Sequence, residues 1–272
     1  MRVIWNIVVI CFWTVVGLEA QNPPMAPTWE VTVGGGAIAL PSYAGSNEHR
    51  VFPFPLAKVA YRDRVYVGPS SGGNGMGIGA YALRGRQFRV AGEVGFTPDR
   101  PADRGEGLAG MEDRSFVATA SLGATYALGP IQGSLTATEG LNDRAGLLVG
   151  GQLSVTLPAG RRTIVVTGFS VTFADRKQMR RDFGVTEVEA ARRQALIDAG
   201  DDRLAADAGT AYAPDGGLHH TGVGLTLIRF LSQHWAVIGI GGIDRLSAKA
   251  AASSLVQDRD QFTGGLAVGY RF

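Results

Sequence analysis

From Trp29 onward, apolar residues recur at every second position over runs of about ten residues, each run broken by turn-forming or charged stretches. The final run is the cleanest. Phe262, Leu266, Val268, Tyr270 and Phe272 share one parity with Gly264, while Thr263, Gly265, Ala267, Gly269 and Arg271 share the other. A strand sends successive side chains to opposite faces, so this segment has one greasy face and one small or polar face. Phe116 to Leu128 repeats the pattern: Ala118, Ala120, Leu122, Ala124 and Tyr126 oppose Thr119, Ser121, Gly123 and Thr125.

The same reading predicts about twelve strands. The first runs from Trp29 to about Leu40, with Glu30 and Thr32 on its polar side and Pro41 ending it. The second spans Phe52 to Tyr61, with Pro53 and Pro55 near its start, where missing donors cost least. Further strands follow at 64–68, 75–83 (the poorest alternator), 88–96, 116–128, 131–138, 147–157 and 163–173. The pattern lapses over 175–217, where Thr186 and Glu189 form a capping-box signature for one helix and Gly200 supplies its stop. Strands resume at 218–230, 235–246 and 262–272.

The connections decide the architecture. Those after even-numbered strands are short: Arg62-Asp63, Arg84-Gly85, Gly129-Pro130, Ala159 to Arg161 and Leu231 to Gln233. Those after odd-numbered strands are longer, up to the 175–217 segment. Short turns at one end and long loops at the other are the habit of outer-membrane barrels, whose even strand count returns both termini to the periplasm. The prediction is all-β: a transmembrane antiparallel up-and-down β-barrel of about 12 strands over 29–272, its apolar parity facing lipid. A sandwich core would also use aromatics, but not this alternation of connections. Trp29, Phe54, Phe96, Phe116, Tyr126, Phe230, Trp235, Tyr270 and Phe272 are expected outward, as interfacial girdles. Should the first and last strands pair, Glu30 and Arg271 could form a lumen-facing ion pair across the seam; the other reading is two separately solvated charges.

Composition adds compartment and curvature. The 272 residues include 39 glycines, about double the usual share and placed inside strand-like runs. A net charge of +2 gives no reason to expect nucleic acid. Residues 1–20 read as a signal peptide: Arg2, an apolar run from Ile4 to Leu18, and cleavage between Ala20 and Gln21. An uncleaved anchor is the alternative, although the run is short for a span. Residues 21–28 would be a periplasmic lead-in. Cleavage removes Cys11, the one cysteine, so disulfide and thiol chemistry leave with it.

Candidate chemistry is sparse. Gly68-Pro69-Ser70-Ser71-Gly72 fits a nucleophile elbow in letters, but a loop and a strand follow it instead of a helix. Gly34-Gly35-Gly36 imitates a dinucleotide loop that Pro41 denies its helix. Asp182-Phe183-Gly184 resembles the kinase magnesium triplet without its companions. His49, His219, His220 and His234 form no metal pattern, since adjacent histidines on a strand point apart. No catalytic residue, cofactor or metal is assigned. A barrel hydrolase using His219 or His220 is the least favoured reading.

Two basic groups stand out. Arg62, Arg64, Arg84, Arg86, Arg161 and Arg162 flank the short turns, where they could meet a periplasmic partner or anionic murein. Arg176, Lys177, Arg180 and Arg181 open the long loop, where they could meet lipopolysaccharide phosphate. Solvated rims would look the same.

Short motifs in order give the chain a family likeness. Pro41-Ser42-Tyr43-Ala44-Gly45-Ser46, Phe52-Pro53-Phe54-Pro55-Leu56, and Thr172 to Asp175 with Asp182-Phe183-Gly184-Val185-Thr186 are three of them. Tyr212 to Gly217, Arg245-Leu246, Ser253 to Val256, Gly264-Gly265-Leu266 and Tyr270-Arg271-Phe272 complete the set. Together they resemble the MipA/OmpV family of outer-membrane proteins. Phe173 stands where that family usually has Trp, and 198–208 looks like an insertion. The resemblance implies an outer-membrane barrel of a Gram-negative bacterium. For some members it implies a scaffold linking a murein hydrolase to a murein synthase, and it carries over no catalytic residue. The expected function is a cell-envelope scaffold, with a porin-like small-solute channel as the alternative.

Overall fold

The computed structural model describes residues 28–62, 64–69, 76–142 and 145–272. The expected signal segment with its Ala20–Gln21 cleavage point, Cys11 and the serines of the Gly68–Gly72 motif lie outside the described residues.

Twelve strands form: β1 (Trp29–Pro41), β2 (His49–Tyr61), β3 (Val65–Pro69), β4 (Met76–Arg84), β5 (Phe88–Thr97), β6 (Val117–Leu128), β7 (Ile131–Gly140), β8 (Leu147–Pro158), β9 (Thr163–Ala174), β10 (Gly217–Phe230), β11 (Trp235–Leu246) and β12 (Asp260–Arg271). Each pairs antiparallel with its sequence neighbours, and β12 returns to β1, closing the barrel. The seam runs from Thr32 opposite Arg271 to Ala39 opposite Gly264. Closure leaves no free edge, which removes the route by which apolar strands aggregate. Outside, Leu135 is 65% and Leu266 67% exposed. So much bare aliphatic surface suits the hydrocarbon of a bilayer. Among the described residues no helix is long and apolar enough to cross a membrane.

Part of the inward face is packed away, while Lys58, Gln132, Thr136 and Gln152 stay half-buried. Ile38, Leu40, Phe54, Leu56, Ile228, Ile238 and Ala267 make one apolar cluster within the lumen, with Phe52, Ile164, Ala236 and Ile240 against it. Across from it, Tyr66 donates to Glu93 Oε2 at 2.8 Å. Gly79 makes room for that tyrosine, because a Cβ there would collide with the Tyr66 ring. Ser121 and Thr138 exchange a 3.0 Å hydrogen bond. Ala91, Glu93, Thr119, Ser154, Val166 and Thr226 are each under 7% exposed. Water standing in an open pore would wet these groups. This part of the lumen is filled.

Three expectations need correcting. Phe54 is not in the outer girdle: it sits opposite Gly36 on the face shared with Ile38 and is buried in the lumen. Strand β2 starts at His49, so Pro53 and Pro55 fall in its middle. They are tolerated for a different reason. The β1–β2 ladder is bracketed by Ser42 N–H to Glu48 O and Arg62 N–H to Thr28 O, so even-numbered residues of β2 bond to β1. The prolines therefore aim their missing donors at the other side, where β3 pairs only with Val59, Ala60 and Tyr61. The 175–217 segment holds two helices instead of one: α1 (Arg176–Phe183) and α2 (Glu187–Asp198); α3 (Ala248–Ala251) follows β11.

The long loops fold together into a cap over one end. Tyr43, Leu108, Met111, Val185, Ala190 and Leu255 share one buried cluster. Met179, Phe183, Leu246 and Ala250 share another, with Ala174 at the barrel rim. Arginine ties the cap internally: Arg193, 1% exposed, donates through Nε to Ala208 O (2.7 Å) and through Nη1 to Gly107 O (2.9 Å) and Ala109 O (3.0 Å). Glu189, fully buried, closes the predicted capping box with Thr186 and also accepts from Glu112 N–H and Arg114.

Candidate functional site

At the turn end the arginines stand where the spacing placed them. Arg62, Arg64, Arg84, Arg86, Arg161 and Arg162 are all exposed. Arg62 lies over the Tyr61 ring at 5.3 Å and Arg84 over Tyr81 at 5.5 Å, so each guanidinium rests on an aromatic face. Arg162 donates to Leu231 O at 3.2 Å, bridging two neighbouring turns. The one side-chain carboxylate at this end among the described residues is Glu30. It lies 3.7 Å from Arg271 across the seam and 4.0 Å from Lys58 on β2, which engages it from both sides. Acidic residues crowd the opposite end instead. The mild net charge of +2 therefore conceals a strongly basic pole.

At the loop end the four predicted cations do not act alike. Arg176 pairs with Asp215 at 2.9 Å, both exposed. Lys177 donates to Asn142 O at 3.2 Å, and Arg180 is exposed. Arg181 departs from the expectation: it is 9% exposed and donates to Ser115 O at 2.8 Å, because the turn of α1 that buries Met179 and Phe183 carries it inward. Lys177, Arg180 and Arg181 nonetheless line one open cavity of about 510 Å³ with Arg114, Thr186 and Tyr212.

Beneath the cap lies a polar cluster that strand parity alone does not foresee. A bulge between Leu218 and His220 lets His219 and His220 approach on one side, their Nδ1 atoms 2.8 Å apart. The expectation that they point apart fails because the bulge inserts an extra residue into the alternation. His219 Nε2 contacts Asp182 Oδ2 at 3.0 Å, and Gln178 donates to the same oxygen at 2.9 Å. Arg100 donates to the Asp182 carbonyl at 3.2 Å. Burial alone would raise the Asp182 carboxyl. The His219 and Gln178 hydrogen bonds and the Arg100 charge outweigh it and hold the group below its ordinary value. Elsewhere in the cap, burial and then the neighbouring Arg114 charge bring Arg100 down to about 10, and burial pushes Tyr43 up to about 12.

These groups tie α1 to β10. No hydroxyl hydrogen-bonds either imidazole among the described residues, so no nucleophile is placed beside a base. Nor, among them, do three His, Cys, Asp or Glu side chains gather as metal ligands. Gly34 to Gly36 lie within β1, and Asp182-Phe183-Gly184 ends α1.

Comparison with solved structures returns barrels. NanC porin covers 89% of this chain and 100% of its own at 6% identity (TM-score 0.44), and KdgM porin 89% and 99% at 9% (0.43). The anion-selective porin from Comamonas acidovorans covers 90% and 99% at 12% (0.40). No curated protein matches the sequence. The profile described as "MltA-interacting protein MipA" matches residues 33–272, nearly the whole described barrel. By that match, and with its closed twelve-strand barrel, the chain belongs to the MipA family of outer-membrane β-barrel proteins.

Proposed function

We propose that this protein is a non-enzymatic platform of the outer membrane: a closed barrel whose basic turn end faces the periplasm and holds an acidic partner of the murein machinery. The observation that carries this reading is the segregation of charge. Six exposed arginines ring the short turns, while the one described side-chain carboxylate there, Glu30, is engaged by Lys58 and Arg271. Such a pole attracts and orients an acidic surface over roughly a Debye length, about 10 Å at 0.1 M salt. The family takes its description from interaction with MltA, which makes a murein enzyme the kind of partner to expect. The competing reading, a small-solute channel, needs a wet lumen, and the buried inward residues weigh against it.

The test is a photo-crosslinking amino acid at Arg84 or Arg161 in growing cells. Recovery of a murein hydrolase or synthase, lost when the remaining turn arginines become glutamate, is the expected outcome. Capture of nothing from the periplasm contradicts the proposal.

A further inference from the structure

We infer that the cavity at the cap is a binding site for a phosphorylated saccharide. Its walls come from four segments: the end of the β5–β6 loop, α1, the 184–186 link between α1 and α2, and the approach to β10. Lys177, Arg180 and Arg181 recur at i, i+3 and i+4 on α1, and Arg114 lies across from them. What matters is how these cations are partnered. Lys177 donates to the neutral Asn142 carbonyl, and Arg181 bonds the Ser115 carbonyl as one of its contacts. Arg180 makes no side-chain hydrogen bond or ion pair among the described residues. Arg114 spends one nitrogen on Glu189, 3.3 Å away, and its Nε has no acceptor among the described residues.

Neither rim carboxylate is paired with these cations. Glu112 pairs outward with Arg192 at 3.1 Å, and Asp113 accepts Ala102 N–H at 2.7 Å. Arg180 and Lys177 thus keep charge that no described carboxylate pairs, the setting in which charge-assisted bonds to phosphate oxygens form. The rest of the wall suits a sugar. Ser115 contributes a hydroxyl-bearing side chain, and the Tyr212 ring, fixed by its bond to Lys249 O at 2.7 Å, offers an apolar face. About 510 Å³ falls within the usual range for small-molecule sites. The phosphate could belong to the lipopolysaccharide of the surrounding membrane or to a free sugar phosphate.

The two sources separate experimentally. The full-length protein in non-ionic detergent is titrated with glucosamine 1-phosphate by calorimetry. In parallel it is presented with deep-rough lipopolysaccharide, intact or phosphatase-treated, in mixed micelles and read by native mass spectrometry. Binding of the soluble sugar phosphate, weakened at least tenfold in Arg180→Gln, supports a free ligand. Retention of intact lipopolysaccharide alone, weakened at least tenfold by phosphatase treatment and by Arg180→Gln, supports a membrane source. Arg180 is exposed, so its substitution leaves the cap folded, and Arg86→Gln at the far end serves as the unchanged control. Binding of neither probe, or equal binding by wild type and a Lys177→Gln/Arg180→Gln double variant, overturns the inference.

Discussion

Nη2 of Arg271 stands 3.7 Å from Oε1 of Glu30, linking the last strand to the first at the turn end of the seam. Lys58 approaches the other carboxylate oxygen at 4.0 Å, and all three side chains keep a quarter to a half of their exposure. Contacts so open to water are worth about 1 kcal/mol or less. Glu30→Gln should therefore barely move the temperature at which the barrel unfolds in a heat-modifiability gel. Glu30→Arg, which crowds three cations, should lower it visibly, and adding Arg271→Glu should restore most of the loss. Failure of that second change to rescue would mean the pair does not act across the seam.

Arg193 makes a different case, because its donors are buried. Replacing it with Ala strands the carbonyls of Gly107, Ala109 and Ala208 and opens a void beside Gly110. Hydrogen bonds to a charged group contribute about 1.5–3 kcal/mol each, less than additively when shared by one side chain. The variant should lose several kcal/mol of cap stability while the barrel wall survives. Limited trypsin digestion should then cut within 100–114 and 198–208 at protease concentrations that leave wild type whole.

Acid should loosen the cap before it touches the barrel. Asp182 and Glu189 both have their carboxyls held below the ordinary range, in each case against the opposing effect of burial. Thr186 and Glu112 backbone N–H groups and Arg114 do this for Glu189. Depressed carboxylates add stability at pH values above their unfolded values, about 4, and that contribution disappears as pH falls through the lower folded values. Hydrogen exchange of α1 and α2 should therefore be flat from pH 7 to about 5 and rise below about pH 4, after correction for intrinsic rates. Asp182→Asn should remove part of that acid dependence.

Charge reversal at the turn end tests the platform more gently than deletion. Arg161→Glu/Arg162→Glu should weaken capture of an acidic partner by an order of magnitude or more, and the effect should shrink as salt rises. Barrel stability should change little, since both side chains are exposed. Salt-independent capture would argue for an apolar contact instead.

Much of this architecture is legible in residue order, for identifiable reasons. Period-two polarity exposes strands such as β6 and β12, and the alternation of short and long connections exposes the barrel. The Thr186–Glu189 box announces α2 because both halves of the cap are side chains. The failures are just as physical. Phe54 sits where Val51, Phe52, Leu56 and Val59 make both faces of β2 greasy, so parity loses its meaning there. Strand β2 hides its start because His49 and Arg50 are polar. Helix α1 has a capping aspartate, Asp175, which accepts from Gln178 N–H, but its charged sequence disguises the Met179–Phe183 stripe. The His219–Asp182 contact depends on a bulge and a loop helix meeting in space, which no spacing encodes.

The most direct test of the closed-platform account is electrical. Purified full-length protein in a planar lipid bilayer at 1 M KCl should give no reproducible unit steps, because Ile38, Leu40, Phe54 and Leu56 fill the lumen under a folded cap. Regular conductance steps from the wild-type protein would contradict it and return the channel reading to first place.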